Sequence, residues 1–165
     1  MLAGNASFEK PADLPQTIPV FPLMGALLLP QGQMPLNIFE PRYIAMVDAA
    51  LKSDRIIGMI QPDYEVEGVE SVEAPPLRKV GCAGRIVAFQ ETGDGRYLIT
   101  LTGIARFEVV EELQSATPFR IASISAERYA DDFRSGHGED QVDRGALIKT
   151  LDDYLTANDL EADWD

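Results

Sequence analysis

Cysteine and histidine occur once each in these 165 residues, as Cys82 and His137. One thiol excludes a disulfide within the chain. One thiol with one imidazole also excludes multi-thiolate and histidine-rich zinc sites. Positive charge is scarce: 14 Lys and Arg against 27 Asp and Glu leave a net charge of −13. Nucleic-acid surfaces work by neutralising phosphates with Lys and Arg, so the balance argues against nucleic acid and equally against an anionic membrane. The most apolar stretch, residues 18–39, contains Pro19, Pro22, Pro30 and Pro35, which no spanning helix tolerates. The first residues lack the basic flank and apolar run of a signal peptide. The expected setting is cytoplasmic.

What is present is ordinary for one globular domain with a small appendage: 45% hydrophobic and 25% charged residues, enough to bury a core. The acid excess is uneven. From Glu127 onward twelve acids face four bases. That run reads as a solvated helical face or tail, with a docking surface for a basic partner as the alternative.

Residues 1–16 carry little periodicity and two prolines, and are expected as a flexible N-terminal arm. From Thr17 the pattern is extended through Ile18, Val20 and Phe21. Two short apolar runs follow, 26–29 and 34–39, separated by the turn signal PQGQ. Pro41 then suits the first turn of a helix whose face is expected at Ile44, Val47 and Leu51. Residues 56–60 read as a buried strand and 62–77 as a long acidic surface loop. The arms 80–90 and 96–102 flank TGDG and read as a hairpin, its glycines supplying the positive φ of a tight turn. Strands are expected again over 104–110 and 119–124. The period turns helical from Asp140, with Val142, Leu147, Leu151, Tyr154 and Leu155 near one face. Asn158-Asp159 reads as a further helix start, and Trp164 as an apolar anchor two turns on.

Three blocks carry a resemblance: IPVFPL (18–23), LLLPQGQMPLNIFEPRYIAMVDAAL (27–51) and VGCAGRIVAFQETGDGRYLITLTGIARFEVVEEL (80–113). They resemble the Lon N-terminal domain family, and PLNIFEPRY in particular resembles its small stand-alone bacterial members. The resemblance implies an α+β, β-rich fold: a PUA-like pseudo-barrel of about six to eight short strands with one internal helix and a C-terminal helical segment. On that scheme residues 17–128 are the β domain, and 138–165 begin a helical part that continues further in the family.

Catalytic chemistry finds little to work with. A phosphate-binding loop needs a Gly-rich run ending in Gly-Lys-Ser/Thr, whereas Lys149-Thr150 follows Ile148. The Ser–Lys dyad of a Lon-type peptidase belongs to a proteolytic domain outside these residues, and the adjacent Lys52-Ser53 is not one. Cys82 lies in a strand pattern and His137 in a glycine-flanked loop, so a buried thiol is favoured over a Cys–His pair. His137 with Asp131, Asp132, Glu139 and Asp140 could gather a cation, but the glycines give no rigid spacing, and a solvated loop is favoured. No catalytic residue, metal or cofactor is expected.

A binding surface remains. Met24, Leu27, Leu28, Leu29, Met34, Leu36 and Phe39 outnumber what one inward face of short strands can bury. The expected peptide-binding residues are Pro35, Leu36, Phe39, Arg42 and Tyr43, where the apolar run meets the first helix. Against this stand plain structural roles: Arg42 pairing with Glu40 or Asp48, and Tyr43 capping the core. The resemblance implies a non-enzymatic substrate-recognition module in protein quality control. Its expected partners are unfolded or extended polypeptide segments, with a protease or chaperone as a second class. The alternative is an adaptor docking through its acidic helical end.

Overall fold

The computed structural model describes residues 1–64 and 75–160. Met1–Ser135 form one unit, and a second begins at Gly136. The first unit opens with a small hairpin of β1 (Leu2–Ala3) and β2 (Ala6–Ser7), followed by a 3-10 turn at Pro11–Asp13. Then come β3 (Thr17–Pro22), β4 (Gln33–Ile38), α1 (Pro41–Leu51), β5 (Ile56–Pro62), β6 (Leu77–Glu91), β7 (Tyr97–Leu113) and β8 (Arg120–Ser125).

The large sheet runs β4-β7-β6-β5-β3-β8, and β8 pairs back onto β7. Five strands thus close into the expected pseudo-barrel, leaving β4 outside the ring. Only β3 and β5 are parallel, joined by the crossover through β4 and α1. Closure rests on the length of β7. Its first half pairs with β4 and its second half with β8, while β6 runs beside it with register shifts at Ala83/Gly84 and Ile86/Ala88. Such bulges add local bend and twist, which lets one strand serve two partners.

Alternation along the strands builds two cores. Ile56 and Ile60 join Ile18, Val20, Ile104 and Phe107 in one; Ile57 and Met59 join Ile38, Cys82, Ile99 and Leu101 in the other. Gly81 serves the first core by close approach: a Cβ there would lie 2.5 Å from the Phe107 ring. Helix α1 covers the second core with Tyr43, Met46, Val47 and Ala50.

Several expectations are corrected. Residues 1–16 do not hang loose: Ala3, Phe8 and Leu14 are buried in the first core, and Arg85 Nη1 donates to the Ala3 carbonyl at 3.1 Å. The α1 face is rotated from the expected one, with Ile44 and Leu51 only half-buried. The arms 96–102 and 104–110 are one strand, continuous through Gly103. Of the two apolar runs, 26–29 lies in a loop and 34–38 in β4. The hairpin at TGDG is present, with Gly93 and Gly95 at φ 80° and 87°. Most of the acidic loop, 65–74, lies outside the described residues.

The second unit contains a 3-10 turn at Glu139–Gln141 and α2 (Arg144–Ala157). Asp143 caps α2 by accepting from the Ala146 N–H at 3.0 Å. Asn158-Asp159 ends this helix: the Asn158 N–H bonds back to Tyr154, and Asp159 takes a positive φ of 52°; the further helix expected to start there falls outside the described residues. Trp164 lies outside the described residues. No described helix is long and apolar enough to cross a membrane.

Candidate functional site

None of residues 14 through 39 is charged, in a chain where a quarter of all residues are. This segment supplies β3, a loop over 23–32, and β4. The loop is pinned at both ends. At one end the Gln61 amide donates to the Leu23 carbonyl at 2.9 Å and to that of Ala26, and accepts from the Gly25 N–H at 3.1 Å. At the other, Gly103 donates to the Gly32 carbonyl at 2.9 Å and accepts from the Gln31 N–H at 2.8 Å. Gly103 is required there, since a Cβ would stand 2.1 Å from the Leu29 carbonyl oxygen. Leu28 plugs into the second core.

Fixing the backbone this way leaves apolar side chains in solvent. Met24 is 71% exposed, Leu27 71%, Leu29 57% and Phe39 62%. Singly exposed apolar residues are ordinary; here four large ones come from one charge-free segment, three of them on a pinned loop. Leu27 and Leu29 border a cleft of about 110 Å³ floored by Met59, Gly81 and Cys82. A second, shallower groove of about 520 Å³ runs over β4, β7 and β6, lined by Pro35, Leu36, Asn37, Phe89, Leu98 and Thr100 among others. At its end Phe89 packs edge-on against Tyr97 with centroids 4.9 Å apart, and Arg96 lies 5.9 Å from the Phe39 ring. The Tyr97 hydroxyl donates to Asp48 at 3.1 Å, a bond that pushes its pKa up.

Of the five expected residues, the structure brings Pro35 and Leu36 together in this groove and leaves Phe39 exposed. Arg42 and Tyr43 go to their structural roles. Arg42 pairs with Glu40 at 2.8 Å and lies 4.6 Å from the centroid of the Tyr43 ring. Tyr43 is buried against Phe21 with centroids 4.1 Å apart, and burial pushes its pKa up. Met24, Leu27 and Leu29 were legible only as surplus. Leu98 and Phe89 were missed, because their strands alternate well enough to read as core.

The groups weighed for catalysis are otherwise engaged. Cys82 is buried, and burial pushes its thiol up to about 12, far from a reactive thiolate. Asp132 accepts from the Arg106 backbone N–H and from its Nε and Nη2, all at 2.7–2.9 Å. Among the described residues no cluster of three His, Cys, Asp or Glu could hold a metal.

The family model of the ATP-dependent protease La (LON) substrate-binding domain matches residues 17–158. The chain belongs to that family. Lon protease 2 of Myxococcus xanthus is 33% identical over 114 residues, which cover 69% of this chain and 13% of that protein. The Lon protease of Anaeromyxobacter dehalogenans is 31% identical with the same coverage. The chain therefore spans only about 13% of the length of these relatives, within the part that carries the substrate-binding domain. A Lon N-terminal domain protein from Xanthomonas campestris has a similar structure, with a TM-score of 0.53, 26% identity, and coverage of 66% of this chain and 58% of that one. The N-terminal domain of a Mycobacterium avium complex Lon protease shares the fold at 14% identity and a TM-score of 0.52, covering 67% of this chain and 54% of that one.

Proposed function

We propose that this chain is a non-enzymatic module that binds unfolded or extended polypeptide segments through the exposed apolar side chains of its charge-free segment, in the service of protein quality control in the cytoplasm. The observation that carries the reading is the exposure of Met24, Leu27, Leu29 and Phe39 from a segment without one charged residue. Unfolded chains differ from folded ones chiefly in displaying apolar side chains and unpaired backbone, and an apolar surface with adaptable methionine selects for the first. Membership of a substrate-binding domain family supports the same reading. Pro35, Leu36 and Phe39 contribute to the surface, while Arg42 and Tyr43 serve the fold. The adaptor reading through the acidic helical end gains no support from the comparisons, which fall on the substrate-binding domain.

The test is an anisotropy titration with a fluorescent protein kept unfolded by reduction and carboxymethylation. Wild type should bind it and ignore the same protein in its native, disulfide-bonded form. Phe39→Asp should weaken binding about tenfold, the effect of losing one interface anchor. Arg42→Ala should leave binding unchanged and cost less than about 1 kcal/mol of stability, as expected of an exposed ion pair. Absence of binding, or equal affinity for native and unfolded probe, contradicts the reading.

A further inference from the structure

Among the described residues strand β4 is a free sheet edge, and its backbone polarity follows from the hydrogen bonds at Gly103. That residue exchanges both of its backbone groups with the chain just before β4. In an antiparallel ladder such exchange recurs at every second residue. Leu101, Ile99 and Tyr97 therefore point toward β4 and bond Met34, Leu36 and Ile38, their partners in register. Gln33, Pro35 and Asn37 point the other way. All three are exposed, and among the described residues β4 pairs with β7 alone. The edge offers three carbonyls, at 33, 35 and 37, but only two N–H groups, because Pro35 has none.

Exposed edges are normally blunted by charge, above all by lysine on the edge strand. Here β4 has no charged residue, and neither do the facing stretches of β7 and β6, Tyr97–Ala105 and Ile86–Gln90. The only guard is Pro35. The nearby cations are already matched, Arg42 with Glu40 and Arg96 with Asp94 at 3.3 Å, and Glu91 is left without a cation among the described residues. An uncharged docking strip beside the unmatched Glu91, in a chain of net charge −13, suits an uncharged segment with basic flanks.

Building on the function proposed above, we infer that the polypeptide is bound by strand addition: an extended, uncharged apolar segment of about five residues with Lys or Arg on either side adds to the free edge of β4. Its side chains on one face enter the groove by Leu98 and Thr100, which stand opposite Asn37 and Pro35. Its backbone makes the bonds, so the site reads extended conformation and lack of charge rather than sequence.

The proline gives a test that works by gain as well as loss. Pro35→Val adds the missing donor and should tighten binding of a fluorescent peptide, five Val and Thr residues flanked by two lysines on each side, by about fivefold, one net hydrogen bond. Asn37→Pro removes a donor that does not serve the β4–β7 ladder and should weaken it by about the same factor. Replacing the lysine flanks by glutamates should weaken binding further, and N-methylating the five core amides should abolish it. Melting curves establish that both variants are folded. If Pro35→Val and Asn37→Pro bind like wild type, or the N-methylated peptide binds like its parent, strand addition is overturned while the recognition reading stands. A lysine-flanked peptide that fails to bind where the unfolded protein binds overturns it too. Failure of the unfolded protein itself to bind sinks the underlying reading instead.

Discussion

Cys82 shows how burial decides chemistry at a single residue. The thiol is buried in the second core with Met59 and Leu101, and desolvation of its thiolate holds the proton on to about pH 12. A thiol reagent at pH 8 should label it slowly in native buffer and at once in denaturant; fast native labelling would show an exposed strand. Because its pKa is raised on folding, the sign is fixed: protein stability falls as pH climbs from about 9 toward 12. Asp132 behaves in the opposite sense. Burial pushes its carboxyl up, but the three bonds from Arg106 more than offset this and hold it below the ordinary 3.8. Its contribution is thus complete above that value and lost as pH falls through the lowered one. Asp132→Asn should cost about 2 kcal/mol at pH 7 and less at about pH 3, below the ordinary carboxylate value, measured by urea melts. An equal cost at both pH values would contradict an ionic origin.

Elements show where sequence patterns run out. The strand periods of β3, β5 and the β6–β7 hairpin were legible, because alternation and TGDG need no tertiary information. The face of α1 was not. Apolar residues surround that helix, so its period alone does not choose between Ile44/Leu51 and Tyr43/Met46; the sheet beneath it chooses. Gly103 misled for a related reason. It reads as a strand break, yet it lies within β7 because the 23–32 loop crosses there. Gly103→Ala should therefore cost about 2–3 kcal/mol, since its Cβ collides with backbone that cannot step aside. Thermal denaturation checks this; a melting temperature unchanged within a degree would mean the loop is not held as described. Asn158-Asp159 carries a cap signal that serves also as a stop, and the bonds back to Tyr154 and Leu155 show that it ends α2.

For the molecule as a whole, the apolar surplus announced a surface, but its address depended on the pinning of the loop by Gln61 and Gly103. The domain combines a closed barrel with large exposed apolar side chains from one charge-free segment, in a chain of net charge −13. Recognition of unfolded polypeptide by those side chains is the central claim. Amide hydrogen exchange with and without the carboxymethylated unfolded protein, at a concentration where most of the domain is bound, tests it most directly. The account predicts slowed exchange within residues 23–39, with little change over α2; strand addition places the largest slowing at the outward amides of Gln33 and Asn37. Protection confined to the acidic 139–157 segment, or none within 23–39 while the probe is bound, would contradict it.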